Sequence, residues 1–273
     1  MWTIHSKGTS LKISPETIQV MTTLVKSIES RDPYTAGHTW RVSRYVMGIA
    51  KHLGWHGHQL VEAELGGLLH DLGKVKVPDQ ILNKPGALTA DEYTVIREHP
   101  LIGADILRQS PGLVSLMPYI EAHHERFDGH GYPHSLSGQL IPLPGRIVAV
   151  ADAFDAMTST RPYRRALLVE NALSEIEKNQ GTQFDPDIVQ VFLKAWARGD
   201  FQGVVRFSGI NRPLLECEQC GPVIEITDPM METLSGTVQC PVCRGLYTVA
   251  FDNGSWTIRA PNTSGQGQDF SMR

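Results

Sequence analysis

GGLLHDLGKVKVP, residues 66–78, ends an apolar run on His70 and Asp71, side by side, with Lys74 three residues further on. The run leading to it, from about Gln59 to Leu69, has helical spacing, and Gly73 lets the chain leave the helix. A buried helix fixes the position of its own end. The stretch therefore predicts a helical setting and, at the helix end, a site.

Its neighbours read the same way. Ser14-Pro15-Glu16 has the cap and first-turn proline of a helix start, followed by Ile18, Met21, Val25 and Ile28 at helical spacing. RDPYTAG, residues 31–37, breaks that helix. A second begins near Gly37 or His38, carries Val42, Tyr45, Val46, Ile49 and Leu53 on one face and ends at Gly54. Thr89 and Glu92 form a reciprocal cap pattern for a helix running into His99-Pro100, and further helices are expected at 101–109, 113–124, 145–158, 166–179 and 186–198. Residues 14–200 thus read as an all-helical domain behind a short N-terminal segment, 1–13. Residues 201–213 read as a linker, 214–260 as a small β-rich module with PVIEITD, GTVQC and LYTVAFD as strands, and 261–273 as a disordered tail.

The chain has 273 residues, 41% hydrophobic and 20% charged, with a formal charge of −4 and a pI near 6.3. Those values fit a globular protein and predict no bulk attraction to nucleic acid or to an anionic membrane. No apolar run approaches the ~20 residues that span a bilayer, and MWTIHSKGTSLKIS lacks a signal-peptide core, so a cytoplasmic location is expected. Histidine is concentrated: of 11 copies, most lie between His38 and His134.

His38, His70, Asp71, His99, His123, His124 and Asp152 each fall at or near an expected helix end or on a helix face. Singly, each has a plain reading as a capping, surface or backbone-bonded residue. Together they make a nitrogen and oxygen donor set suited to divalent transition metals rather than to calcium or magnesium. Asp152, within the apolar IVAVADAFDAM, is costly to bury unless paired or metal-bound. Seven donors exceed one ion's needs. Two ions sharing a bridging carboxylate is the natural count, and Asp71 is the expected bridge.

HDLGK (70–74), HHERFDGHGYP (123–133) and VADAFDAMTSTRPYR (150–164) resemble the HD-GYP family of HD metal-dependent phosphohydrolases. DPYTAGHTWRVSRY (32–45) and REHPLIGADIL (97–107) match the family's other segments in the expected order, so the resemblance covers about residues 15–200. It implies an HD-type helical bundle and a phosphodiesterase that opens cyclic di-GMP to linear pGpG and then GMP, using water activated between two metal ions. It maps the metal ligands onto the seven residues above, with iron, manganese, zinc, cobalt or nickel as candidate ions. It also implies that Asp71 and Lys74 carry the chemistry and that Lys74, Tyr132, Arg161 and Arg164 contact substrate, while Asp128, Gly129 and Gly131 shape a loop near the metals. Where some members have a glutamate that helps hold a third metal, this chain has Tyr34, which argues for two ions. Two other readings stay open: hydrolysis of another cyclic dinucleotide, such as cyclic GMP-AMP, and a receptor that binds the dinucleotide without cutting it.

All four cysteines lie in CEQC (217–220) and CPVC (240–243), separated by nineteen residues. Two such knuckles supply Cys217, Cys220, Cys240 and Cys243 as a closed tetrahedral set for one structural zinc, a zinc-ribbon-like pattern. A module of about 45 residues needs a staple of this kind to fold. Its expected role is to recruit a protein partner or to self-associate. Nucleic acid ranks last because basic residues are few.

Overall fold

Ser14 caps the first helix by accepting a hydrogen bond from the Thr17 amide at 3.2 Å. The computed structural model describes residues 14–31, 35–84, 86–160, 166–209, 212–219, 221–226, 228–241, 243–252 and 255–259. Tyr34, Arg161, Arg164 and Cys220 lie outside the described residues, as do the segments 1–13 and 261–273.

Helices α1 (Pro15–Glu29), α2 (His38–His52) and α3 (His58–Leu69) follow the apolar spacing, and α2 is the central one. It packs against α3 on one side and against α8 (Leu143–Thr158) and α10 (Pro186–Ala197) on the other. Val42, Tyr45, Val46 and Ile49 are fully buried. Around Tyr45 the aromatic rings meet edge to face, with Phe154 at 5.3 Å and Phe201 at 5.1 Å between centroids. Phe192 stacks on Phe201 at 5.5 Å. The helical core therefore continues past α10 into the segment around Phe201 and Val204.

Between α3 and α8 the elements are short: α4 (Asp79–Leu82), α5 (Ala90–Arg97), α6 (His99–Arg108) and α7 (Met117–Glu121). The capping box of Thr89 and Glu92 is formed. The helix expected over 113–124 is instead a 3-10 turn, Pro111–Leu116, followed by the short α7. Pro118 lacks an amide hydrogen and so sits only in a helix's first turn, which makes Met117 the start of a new helix. His123 and His124 consequently leave the end of α7 rather than lie along a helix. After α9 (Val169–Lys178) and α10 the chain turns to strands.

β1 (Phe207–Gly209) pairs antiparallel with β2 (Arg212–Pro213), and β3 (Leu215–Cys217) with β4 (Gly221–Ile224). A three-stranded antiparallel sheet contains β5 (Ser235–Gln239), β6 (Leu246–Asp252) and β7 (Ser255–Arg259). Strand β7 and the short helix α11 (Asp228–Thr233) were not foreseen from the sequence. Tyr247 and Val249 of β6 alternate inward and join Leu215, Val223, Ile224 and Ile226 in a second, smaller core. No helix among the described residues is long and apolar enough to cross a membrane.

Candidate metal centre

Six of the seven predicted donors are imidazoles or carboxylates delivered by element ends, and the seventh, Asp152, sits within α8. His38 opens α2, whose N-terminus has no side-chain cap of its own; Glu29, from the end of α1, accepts from the Thr39 amide at 2.9 Å instead. His70 and Asp71 follow α3, His99 opens α6, and His123 and His124 follow α7. A 3-10 turn, Leu72–Lys76, carries the chain away from Asp71. A Cβ on Gly73 would overlap the His99 carbonyl oxygen and crowd the Gly103 amide, so only glycine lets these two segments meet. Gly73→Ala should cost about 1–3 kcal/mol through that overlap. It should also push His99 from Asp71, read as a lower denaturation midpoint together with loss of one bound ion.

The donor atoms fall into two groups. His38, His70 and Asp152 form one, and Asp71, His99, His123 and His124 the other, each with ligand atoms within 4.8 Å of one another. Asp71 faces both. Its Oδ2 stands 3.4 Å from His70 Nε2 and 3.6 Å from His38 Nε2, while its Oδ1 stands 3.3 Å from His99 Nε2 and 4.0 Å from His123 Nε2. His38 Nε2 is 3.4 Å from Asp152 Oδ1. Ligand atoms about 2.1 Å from a shared ion stand roughly 3.0–3.4 Å apart at ordinary coordination angles, so the spacing suits ions between these groups.

The imidazoles are oriented by their other nitrogen. Nδ1 of His70 donates to Gly67 O at 2.8 Å, that of His99 to Ile96 O at 2.7 Å and that of His123 to Ile120 O at 2.6 Å. Each uses the carbonyl three residues before it and so directs Nε2 inward as an acceptor. His38 differs. Its Nδ1 donates to the Asp155 carboxylate at 2.8 Å, and Asp155 is in turn held by Arg41.

The charges match a ligand set. Burial and then the other imidazoles push His123 well below its ordinary value, and the same causes bring His124 down to about 3, so both rings are neutral. Burial opposes the charge of Asp71, but the Lys74 ammonium at 2.6 Å and the nearby imidazoles hold the carboxyl well below the usual range. Burial likewise opposes Asp152, and His70 and His38 outweigh it. For His38 burial opposes the proton, yet Asp155, Asp71 and Asp152 raise it to about 9, so a cation held there would have to displace a proton. His70 Nε2 and Asp71 Oδ1 are buried with no hydrogen-bond partner. Buried acceptors without a partner, one beside each histidine group, suit divalent cations, and a histidine and aspartate cluster of this kind fits a divalent metal site.

A model of the family described as HD domain matches residues 22–188. The chain belongs to the HD domain family. With HHERFDGHGYP in place, it is an HD-GYP member of that family. The chain is 40% identical over 182 residues to the cyclic di-GMP phosphodiesterase response regulator RpfG of Xanthomonas campestris, covering 66% of this chain and 48% of RpfG. It is 44% identical over 168 residues to a cyclic di-GMP phosphodiesterase of Thermotoga maritima, covering 61% and 46%. A 3'3'-cGAMP-specific phosphodiesterase of Vibrio cholerae is 37% identical over 176 residues, covering 64% and 38%. The chain thus spans less than half the length of each of these relatives. Its fold is like that of the crystal structure of the Vibrio cholerae cyclic GMP-AMP phosphodiesterase V-cGAP3, with a TM-score of 0.55 at 19% identity, covering 78% of this chain and 56% of that one.

The predicted substrate contacts are placed unevenly. Tyr132 lies between the Arg97 guanidinium, 4.8 Å from its ring centre, and the His124 ring, stacked at 4.8 Å. In this HD domain it therefore buttresses a predicted ligand. Lys74 points at Asp71, as above. The loop is tied by Glu125, buried and accepting from the His134 and Leu136 amides at 2.7 and 3.0 Å, and by Asp128, which pairs with Arg126 at 2.6 Å. Sequence reading passed over Arg41, Glu125 and Asp155. For Asp155 a signal existed, since it lies three residues after Asp152 and hence near the same helix face.

Proposed function

We propose that this chain is a metal-dependent phosphodiesterase that hydrolyses cyclic di-GMP to linear pGpG, to GMP or to both. The observation that carries this reading is Asp71, one carboxylate whose two oxygens face two separate histidine groups. His38, His70, Asp71 and Asp152 would hold one divalent ion, and Asp71, His99, His123 and His124 a second. When bound, such ions acidify water and neutralise phosphate charge. Iron, manganese, zinc, cobalt and nickel all suit the donors.

The chain's own groups supply the rest. The rings of His70, His99 and His123 are locked with Nε2 inward, so no reorientation is needed when substrate arrives. Lys74 donates from Nζ to Asp71 Oδ2 at 2.6 Å, and is proposed to reach a phosphate that enters beside it. Arg161 and Arg164 are proposed as forked donors to the substrate's phosphates. Tyr132, kept rigid between Arg97 and His124, is proposed to offer its edge to the nucleotide. Lys74→Ala should lower turnover by about 10²–10³-fold with the metal content nearly unchanged. Loss of metal from that variant would make Lys74 a support for Asp71 instead.

A second reading, a cyclic GMP-AMP phosphodiesterase, is favoured by the relative named for that activity. Incubating metal-loaded protein with cyclic di-GMP, cyclic GMP-AMP and cyclic di-AMP, and identifying the products, tests both. Cleavage of none of them would contradict the enzymatic reading.

For the C-terminal strands, residues 214–260, we propose a structural zinc held by Cys217, Cys220, Cys240 and Cys243. Cys217, Cys240 and Cys243 converge, with Cys217 Sγ 3.6 Å from Cys243 Sγ. The Tyr247 hydroxyl lies 3.2 Å from Cys217 Sγ. The Cys217 contact first and burial second raise that hydroxyl to about 12, so it stays a donor to a thiolate. Cys240→Ser should release one equivalent of zinc and expose residues 214–260 to proteolysis; unchanged zinc content in the variant would count against the assignment. A protein partner or self-association is the role proposed for this module, and the cytoplasm the proposed location.

A further inference from the structure

We infer that Asp155 and Arg41 are positioning residues for His38, and that Arg41 couples this ring to the chain at Phe207, where the C-terminal strands begin. The inference rests on the two-ion reading above and extends it to residues that touch no metal.

Three of the imidazoles are oriented by carbonyls of their own local segment; His38 alone among those four depends on a side chain 117 positions away. Asp155 is fully buried and both its oxygens are occupied. Oδ2 accepts from His38 Nδ1 at 2.8 Å, Arg41 Nη2 at 3.0 Å and Ser159 Oγ at 3.3 Å, and Oδ1 accepts from Arg41 Nε at 2.6 Å. Arg41, 1% exposed, donates further: Nη1 to Ala36 O and to Phe207 O, both at 2.8 Å, and Nη2 to Ser159 Oγ at 3.1 Å. A guanidinium has five N–H donors in a rigid fork, and all are used here. Lysine, with three donors around one nitrogen, cannot reproduce that fork.

A buried Arg–Asp pair could serve packing alone. Two features argue for more. The carboxylate shares Oδ2 with a ring whose opposite nitrogen faces Asp71 and Asp152 at 3.6 and 3.4 Å, so its position sets where His38 Nε2 points. The planar fork also ties Asp155 to the carbonyl of Phe207, the first residue of β1, so a shift of β1 tilts the fork and the ring with it. Leu214 donates to Arg206 O at 2.7 Å, closing the β1–β2 hairpin just before the strand that carries Cys217.

The test uses the full chain and metal binding rather than turnover. Titrated with Mn²⁺, the wild type should bind two ions. Asp155→Asn keeps the shape but replaces one acceptor oxygen by an NH2, which must then face a donor of Arg41 or of His38, and one of the two affinities should fall about 10–100-fold while the other holds. Two ions bound with wild-type affinity by Asp155→Asn would overturn the positioning role; fewer than two in the wild type would remove the reading beneath it. If Asp155→Asn does not fold, Arg41→Lys is read by the same titration, with the same loss expected. Coupling is read by amide hydrogen exchange across residues 204–217. Linkage requires saturating Mn²⁺ to slow that exchange in the wild type and the effect to vanish in Arg41→Lys. Exchange indifferent to Mn²⁺ in the wild type would overturn the coupling.

Discussion

Asp71→Ala is expected to lower cyclic dinucleotide hydrolysis at least about a thousandfold, roughly 4 kcal/mol of transition-state stabilisation. The size follows from geometry. Most ligand substitutions weaken one ion, whereas Asp71 presents Oδ1 to His99 and His123 and Oδ2 to His38 and His70, so its removal strips a donor from both groups. Metal analysis separates the cases: Asp71→Ala should lose both ions, and His99→Ala one. The variant should remain folded, because removing Asp71 also relieves the cost of a buried carboxylate. Lys74 then loses its partner but stays about a quarter exposed and keeps access to water. Wild-type turnover in a metal-replete Asp71→Ala preparation would sink the mechanism.

Phe192→Ala should cost about 3–5 kcal/mol of folding stability, a shift readily seen in a urea denaturation midpoint. Phe192 is fully buried and touches rings on three sides: Phe154 at 5.0 Å, Phe201 at 5.5 Å and Tyr45 at 6.4 Å. A cavity there has little chance to collapse, since the surrounding rings come from α2, α8 and the turn after α10. Among the described residues the rings of the five proposed histidine ligands meet one another and Tyr132, and none meets a ring of this cluster. The folded fraction of Phe192→Ala should therefore still bind two ions. A cost below about 1 kcal/mol would show that the aromatic cluster relaxes around the gap.

Much of this arrangement was readable in the chain because its signals are local. The α2 and α3 stripes, the Thr89 cap and the HD pair at the end of α3 all repeat or terminate within a few residues of one another. The 113–124 segment misled because its apolar spacing suits one helix, and Pro118 decided otherwise. Arg41 and Asp155 are 114 positions apart, and no local pattern announces a buried pair of that separation. The same holds for Tyr132. Its place in GYP was evident, but its stacking on His124 depends on how the loop folds back. Strand β7 was missed because SWTIR is short and follows a strand already assigned.

The contrast between His38 and the other oriented rings bears on the order of assembly. His70, His99 and His123 acquire their orientation from carbonyls three residues away, so each is aimed once its own turn exists. His38 is aimed only after α8 has docked on α2 and brought Asp155 to it. The ion of that group therefore requires α8 docked on α2, while the other requires only the ends of α3, α6 and α7 to meet, within residues 71–124. During folding the two sites should mature in sequence, the His38 site last.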